Sequence, residues 1–203
     1  MNLSPDVLLL AAGRATRFGS NKLHAPFADS TILGTVLRIM SEARQAGVAA
    51  GALVVYRADD LVARNTAEAA GCRCIANEWP EAGLAASLRL GLEQLAVGSA
   101  PAALILLADQ PRLQLDTIAA LVHAWRTTSA TCLRPRYAGE PDAPGHPVLL
   151  ARSAWHLTGS LTGDRGLAPL FEQGLLRPFL VDVPGTNPDI DTPSDLEALR
   201  GHA

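Results

Sequence analysis

The sequence predicts an α/β fold with a mainly parallel sheet covered by helices on both faces. Three observations predict it. A continuous apolar run at 7–12 is typical of a buried parallel strand, helical and strand patterns alternate after it, and glycines such as Gly47 and Gly71 separate them. At 203 residues the chain can bury a large core, so we expect one domain over residues 1–203.

The individual elements follow from local spacing. Leu33, Val36, Leu37 and Met40 recur at helical spacing, which predicts a helix over 32–46 that ends at Gly47. The other predicted helices are 59–70, 84–95, 115–127, 165–171 and 194–199, and the other predicted strands are 52–56, 72–76, 104–108, 131–134, 148–150 and 179–183. This alternation indicates parallel strands joined by helical crossovers. Residues 135–147 are expected to be irregular, either bordering a substrate site or forming a plain surface loop.

Composition argues against several classes of partner. The chain has 17 basic and 20 acidic residues and few aromatic ones, so no nucleic-acid partner is expected. No apolar run approaches the roughly 20 residues that span a bilayer, and no signal-peptide pattern opens the chain, so we expect a cytoplasmic protein without a membrane partner. Cys72, Cys74 and Cys132 fit no zinc or disulfide pattern. They are interpreted as small buried hydrophobes, with a redox role as the alternative.

The strand at 7–12 runs into a cationic loop. Between Gly13 and Lys22 the loop also carries Arg14 and Arg17 and no acidic residue, although the whole chain has net charge -3. Such a local field is expected where a polyanion docks, and ligand crevices of parallel sheets open at the carboxyl ends of strands. A turn with solvated cations is the alternative.

The spacing of this loop excludes two common glycine motifs. The dinucleotide fingerprint would need a glycine at Ala15, and the P-loop would need one at Phe18. The pattern that fits, over 11–22, is Ala-Ala-Gly-x-x-x-Arg-Phe-Gly-x-x-Lys. It resembles the signature loop of nucleotidyltransferases that condense a nucleoside triphosphate with a phosphorylated acceptor.

Asp109 ends the apolar strand at 104–108 and is followed by Gln110 and Pro111. A carboxylate there is costly unless it faces a cleft, a cation or a hydrogen-bonding network. A metal role is one interpretation, and an ordinary turn at the end of a strand is the other.

A second acidic pair precedes the last predicted helix. Asp189 and Asp191 lie on one side of an extended segment, where they are candidate metal ligands. Alternatively, Thr192 or Ser194 caps the helix and Asp195 favours its positive end. The two interpretations are compatible.

Three further motifs complete the pattern: Gly-Leu-Ala-Ala-Ser-Leu-Arg-Leu-Gly at 83–91, Gly-His-Pro at 145–147 and Gly-Asp-Arg-Gly at 163–166. In this order, together with the opening loop, Asp-Gln-Pro and Asp-Ile-Asp-Thr-Pro, they resemble the molybdenum cofactor cytidylyltransferase family over residues 8–199. Guanylyltransferases for the same cofactor typically begin with Ala-Gly-Gly. The sequence departs from the pattern of this family at Ala15, at His24 and at 167–168. These departures concern the identity of the acceptor more than the binding of the nucleotide.

The resemblance implies a Rossmann-like three-layer sandwich of the nucleotide-diphospho-sugar transferase type. It implies transfer of CMP from CTP to the terminal phosphate of molybdopterin, the organic part of the molybdenum cofactor, with release of pyrophosphate, and a molybdenum hydroxylase as a further partner. Two alternatives stay open: transfer to another phosphorylated metabolite, and a non-catalytic carrier that hands the cofactor to a hydroxylase. Retention of Arg17, Lys22, Asp109 and Asp191 argues against the carrier, since a protein that only binds the cofactor needs no metal pair.

The roles of single residues follow from that chemistry. An acceptor oxygen attacks the α-phosphorus, so the protein must align anions and neutralise charge. The predicted catalytic residues are Arg17, Lys22 and Asp109, and the predicted nucleotide-binding residues are Ala11, Ala12, Gly13, Arg14, Arg17, Lys22, Ser87 and Asp109. Asp109 and Asp191 are expected to bind Mg²⁺, and His146 and Asp164 the acceptor. The alternative for Ser87 is a small helix-packing residue, and the alternative for His146 is a histidine hydrogen-bonded at a strand entrance.

Overall fold

The computed structural model describes residues 4–13, 18–19, 21–142 and 145–200. Its strands are β1 (Asp6–Ala11), β2 (Pro26–Phe27), β3 (Ser30–Thr31), β4 (Ala52–Arg57), β5 (Arg73–Asn77), β6 (Ala102–Leu107), β7 (Cys132–Tyr137), β8 (Val148–Ala151) and β9 (Phe179–Val183). Its helices are α1 (Ile32–Gln45), α2 (Leu61–Ala69), α3 (Leu84–Ala96), α4 (Leu115–Thr128), α5 (Ala168–Glu172) and α6 (Pro193–Arg200). Short 3₁₀ segments lie at Lys22–His24, Pro80–Ala82, Arg152–Ser160 and Gly163–Arg165.

Seven of these strands form one sheet in the order β5-β4-β1-β6-β8-β7-β9. β1 pairs in parallel with β4 and with β6, whereas β8 is antiparallel to β6 and to β7. The mainly parallel α/β fold is therefore confirmed, with β8 reversed. The chain builds β4 and β5 on one side of β1 and then crosses to β6 on the other. Ligand crevices open at such a switch point, outside the carboxyl ends of the strands.

Each face of the sheet is buried under helices. Along β1, Val7 and Leu9 pack on the side that holds α1, α2, α4 and α6, and Leu8 and Leu10 pack on the side that holds α3, α5 and the 152–160 segment. Leu8 and Leu9 are 0 % exposed, and burying each side chain contributes about 1.5–3 kcal/mol. The result is the three-layer sandwich that the sequence predicts.

One glycine allows a close approach that shapes the site. Gly83 precedes α3 with a φ of 86°, and a Cβ there would lie 2.4 Å from the carbonyl carbon of Gly163. Only a residue without a side chain fits both the backbone angle and the space. The loop before α3 and the loop at 163–164 are therefore held against each other.

Two predictions about elements are wrong in detail. The segment 135–147 was expected to be irregular, but β7 continues to Tyr137 because Pro135 and Tyr137 pair with Val181 and Val183 of β9. The helix expected over 165–171 is divided into the 3₁₀ turn Gly163–Arg165 and α5, with Gly166 at a φ of 50° between them. The hairpin of β2 and β3 was not predicted, since two-residue strands leave no periodic pattern.

The described cysteines are free thiols. Cys72 and Cys132 are buried, as expected, and Cys74 is half-buried. Burial raises the pKa of Cys74 to about 11 and that of Cys132 to about 12, which disfavours the thiolate needed for redox or metal chemistry. Within the described residues, no helix has the length and apolar character needed to cross a bilayer.

Candidate active site

A pocket of about 440 Å³ opens at the carboxyl ends of β1 and β6. Its volume lies in the range of small-molecule sites. The lining residues come from five parts of the chain: Leu10, Ala11, Ala12 and Gly13; Lys22 and Leu23; Pro80, Glu81, Gly83, Leu84 and Ser87; Leu107, Ala108 and Asp109; and Asp164. The pocket therefore brings together all of the predicted nucleotide-binding residues that the structure describes. Arg14 and Arg17 lie outside the described residues.

Lys22 lies between the two predicted metal ligands. Its Nζ donates to Asp109 Oδ2 at 2.7 Å and to Asp191 Oδ1 at 2.9 Å. Burial alone would lower the pKa of Lys22, but the two carboxylates outweigh it and hold the pKa above its ordinary value. The residue is only 9 % exposed, because its ammonium is drawn to the carboxylates and away from solvent.

Asp191 reaches the site by a route that the sequence did not predict. Asp109 lies just after β6, whereas Asp191 lies in an irregular segment after β9, the outermost strand of the sheet. The segment returns to β6 through a hydrogen bond from Ile190 N to the Asp109 carbonyl at 3.0 Å. Ile190 is fully buried in the core, which directs its neighbour Asp191 to the other side of the extended segment.

The turn before α6 forms the helix cap that the sequence predicts as one interpretation of the acidic segment. Thr192 Oγ1 accepts from Asp195 N at 3.2 Å, and Asp195 Oδ2 accepts from the backbone N of Thr192 at 2.7 Å and of Asp191 at 3.0 Å. This is a reciprocal capping arrangement in which Thr192, and not Ser194, is the capping hydroxyl. The side chain of Asp191 meanwhile contacts Lys22.

The start of α3 forms another wall of the pocket. Leu84 N donates to Asp164 Oδ1 at 3.2 Å, so the motifs at 83–91 and 163–166 meet here. Ser87 is buried, and its Oγ accepts from Asn77 Nδ2 at 2.9 Å. The amino end of a helix favours anions through its free N–H groups and its dipole. The predicted roles of Ser87 and Asp164 in binding substrate stay predictions.

His146 is not among the residues that line the pocket. Its carbonyl accepts from Tyr137 Oη at 2.8 Å and from Asn187 Nδ2 at 3.4 Å. Asn187 Nδ2 also donates to Gln110 Oε1 at 3.2 Å, and Gln110 Nε2 donates to Asp189 Oδ1 at 2.8 Å. A polar network thus connects His146 to the residue that follows Asp109.

Burial shifts the titration of this network. Burial and the Arg134 guanidinium lower the pKa of His146 to about 4, so the imidazole is neutral at pH 7. Burial and the nearby Asp109 carboxylate raise the pKa of Asp189, while the hydrogen bond from Gln110 opposes that rise.

Gln110, Asn77 and Asn187 were not identified from the sequence as parts of the site. Gln110 belongs to the Asp-Gln-Pro motif, so its position beside Asp109 was the pattern that could have identified it. Asn77 and Asn187 gave none, because a single asparagine in a loop or at the end of a strand has many structural uses.

The donor set fits a divalent cation. One ammonium contacts an oxygen of each carboxylate, so it stands where a cation bridging Asp109 and Asp191 would bind. The described part of the chain contains no cluster of three or more His, Cys, Asp or Glu that could hold a metal. Mg²⁺ is commonly held by one or two carboxylates together with substrate phosphates and water, and this site offers that number.

The sheet topology places the pocket at the switch point of an α/β fold. The family model for the MobA-like NTP transferase domain matches residues 7–178, and the chain belongs to this family of nucleotidyltransferases. It is 32% identical over 186 residues to the phosphoenolpyruvate guanylyltransferase of Sphaerobacter thermophilus, covering 85% of this chain and 79% of that protein. It is 27% identical over 206 residues to the purine catabolism protein PucB of Bacillus subtilis, covering 95% and 94%.

A solved structure of similar fold contains a metal. The manganese complex of Rv0371c from Mycobacterium tuberculosis H37Rv superposes with a TM-score of 0.81 at 26% identity, covering 98% of this chain and all of that one.

Proposed function

We propose that this nucleotidyltransferase transfers CMP from CTP to the terminal phosphate of molybdopterin carrying molybdenum, in the cytoplasm and within one catalytic domain. The observation that carries the proposal is the convergence of Lys22, Asp109 and Asp191 beside a pocket at the switch point. The motifs at 11–22, 83–91, 145–147 and 163–166 support the choice of cytosine and of this acceptor through their resemblance to the cytidylyltransferases.

The reaction requires alignment and charge neutralisation. A phosphate oxygen of the acceptor forms a bond to the α-phosphorus of CTP, the bond from that phosphorus to the bridging oxygen breaks, and pyrophosphate leaves. In this proposal Arg14, Arg17 and Lys22 bind the phosphates, and the turn at 11–13 and the start of α3 enclose the nucleoside. Asp164 contacts the acceptor, and His146, which is not among the lining residues, orders that side of the site through the hydrogen bonds of its backbone carbonyl.

The charge of the pocket explains the need for a metal. Glu81, Asp109 and Asp164 line it, and among the described lining residues they face the single cation Lys22. A triphosphate in such a pocket would be repelled unless another cation accompanied it. In this proposal Mg²⁺ held by Asp109 and Asp191 supplies that charge and stabilises the negative charge that develops on the phosphates.

A second candidate is guanylyl transfer to a small phosphorylated acceptor. It is favoured by the 32% identity to a protein named phosphoenolpyruvate guanylyltransferase. Both candidates use the same phosphate chemistry and differ in the base and the acceptor. A non-catalytic cofactor carrier is the third, and it has no need of Lys22 between two carboxylates.

Substrate choice is tested by supplying CTP or GTP with Mg²⁺ and either molybdenum cofactor or phosphoenolpyruvate. We expect pyrophosphate release with CTP and the molybdenum cofactor, and we expect CTP to outcompete GTP. A pocket closed around a pyrimidine rejects the larger purine by steric hindrance as well as through hydrogen bonds. Turnover with GTP and phosphoenolpyruvate would support the second candidate. Cofactor binding without any pyrophosphate release would support the carrier.

A further inference from the structure

The carboxylates that we propose as metal ligands already hold a cation. Lys22 Nζ lies 2.7 Å from Asp109 Oδ2 and 2.9 Å from Asp191 Oδ1, and its side chain is only 11% exposed. The side chains of Asp109 and Asp191 are 22% and 42% exposed, so they face the opening more than Lys22 does. An ion that bridged both carboxylates would compete with this ammonium for the same oxygens.

The residue type suits a substitute for a metal ion. Lys22 is the single lysine of the 203-residue sequence. All the remaining residues among the 17 lysines and arginines are arginines. An ammonium is a compact, strongly hydrated point charge, whereas a guanidinium is a planar fork. A lysine can therefore bind two converging carboxylates from one point, as a small cation does.

The backbone around Lys22 is fixed by Asp60, the capping residue of α2. Asn21 Nδ2 donates to Asp60 Oδ2 at 2.5 Å, and His24 Nε2 pairs with Asp60 Oδ1 at 2.8 Å. Leu23 N donates to Asn21 Oδ1 at 3.2 Å. Because both sides of Lys22 are anchored in this way, its ammonium can leave the carboxylates by rotation of the side chain while the backbone stays in place.

The cost of that departure depends on what replaces the carboxylates. A metal ion that entered alone would take the two carboxylates and leave the ammonium without a counterion beside another positive charge. A metal that enters together with a triphosphate avoids this cost. Phosphate oxygens can accept from the ammonium and also complete the coordination of the metal.

We propose that Lys22 holds the metal position in the free enzyme, and that the divalent cation enters only together with a triphosphate, onto which Lys22 then moves. This inference rests on the proposed function and adds an order of binding to it. Metal and triphosphate then increase each other's affinity, and linkage requires the two factors to be equal. Lys22 therefore couples the two ligands as well as contacting phosphate.

The coupling is measured with Mn²⁺ by electron paramagnetic resonance, with and without a CTP analogue that has a methylene bridge between its α- and β-phosphates. For the wild-type chain we expect the analogue to raise Mn²⁺ affinity between about 5- and 150-fold, the usual span of coupling between sites. Lys22→Met should bind Mn²⁺ alone more tightly than the wild type does and should lose most of the coupling.

A matched control removes a cation from a carboxylate elsewhere. Arg136 donates two hydrogen bonds to Asp182 on β9, the outermost strand of the sheet. Arg136→Met changes the net charge as Lys22→Met does, and it should bind Mn²⁺ as the wild type does. If Arg136→Met strengthened Mn²⁺ binding as much as Lys22→Met, general charge and not Lys22 would be the cause, and the proposal would be wrong.

The wild-type chain provides a test that needs no variant. With one lysine, protein labelled with ε-¹³C-lysine has one labelled side chain. Its NMR signal should stay in place with Mg²⁺ alone and shift when Mg²⁺ and the analogue are added together. If Mg²⁺ alone shifted the signal equally, the order of binding would be wrong while the transferase proposal stood. A chain that bound neither metal nor analogue would overturn the proposed function itself.

Discussion

Two polar regions flank the end of β6, and they are held together by different interactions. On one side, Lys22, Asp109 and Asp191 form a charged cluster at the pocket, joined by ion pairs of 2.7 and 2.9 Å. On the other side lies a neutral region of His146, Tyr137, Asn187 and Gln110, in which Tyr137 and Asn187 donate to the backbone carbonyl of His146. The first region concentrates charge where a polyanion would bind, and the second fixes the fold around it. Substitutions should therefore affect catalysis in the first and stability in the second.

The largest expected effect comes from the charged cluster. Asp109→Asn and Asp191→Asn each keep the shape of the side chain but remove the charge that attracts a divalent cation. We expect CTP-dependent pyrophosphate release to fall on the order of 100- to 1,000-fold, since a metal supplies several kcal/mol and each 1.36 kcal/mol is a factor of ten. Steady-state assays at saturating Mg²⁺ measure this loss.

Thermal unfolding of the same variants separates catalysis from folding. Lys22 lies between the two carboxylates and offsets their repulsion, and it keeps one of them in either variant, so we expect a small decrease in Tm and no gain from relieved repulsion. Asp182→Asn is the control, because it removes an exposed carboxylate far from the pocket and should leave turnover unchanged. An active but destabilised Asp191→Asn would remove Asp191 from the metal site.

The charged cluster was only partly predictable from the sequence. Asp109 was identified because a carboxylate after a buried strand needs a partner, and Asp191 because of its spacing before the last helix. The position of Lys22 could not be predicted, since its two ion pairs join residues 87 and 169 positions apart. Local patterns indicate which side chains are charged but not which distant groups will neutralise them.

The sheet shows the same limit. Continuous apolar runs predicted β1, β4 and β6, because these strands are buried on both faces. The reversal of β8 and the long β7 depend on pairing with strands far along the chain. The network from His146 to Asp189 depends in turn on that pairing, so it could not be seen before the topology was known.

The next largest expected effect is a pH dependence of stability that arises from His146 in the neutral region. Because the pKa of His146 is lowered to about 4 in the folded chain, the unfolded chain binds a proton below its ordinary pKa of 6.5 while the folded chain does not. Stability should therefore be lost as the pH falls from 6.5 towards 4, by at most about 3 kcal/mol from this group.

Urea unfolding at several pH values between 7 and 4 measures the slope. A His146→Asn variant has no imidazole to titrate, so its free energy of unfolding should depend less steeply on pH in this window. Equal slopes for the two proteins would show that His146 titrates normally in the folded state. The neutral region would then have to be described as accessible to protons, and the contrast with the charged cluster would weaken.

The smallest effect lies at the boundary between the two regions, where the turn before α6 supports Asp191. Thr192→Ala removes the hydroxyl that accepts from Asp195 N but leaves Asp195 Oδ2 to accept from the backbone N of Thr192 and Asp191. The loss of one cap should lower the free energy of unfolding by about 0.5–2 kcal/mol. Turnover should change little, because the remaining bonds still orient Asp191 towards Lys22.

Urea unfolding and pyrophosphate release, measured on Thr192→Ala beside Asp191→Asn, should give opposite patterns. Thr192→Ala should be less stable but active, whereas Asp191→Asn should lose activity and keep near-normal stability. If Thr192→Ala lost as much activity as Asp191→Asn, the cap would be needed to position the carboxylate, and capping and metal binding would be one function of this segment.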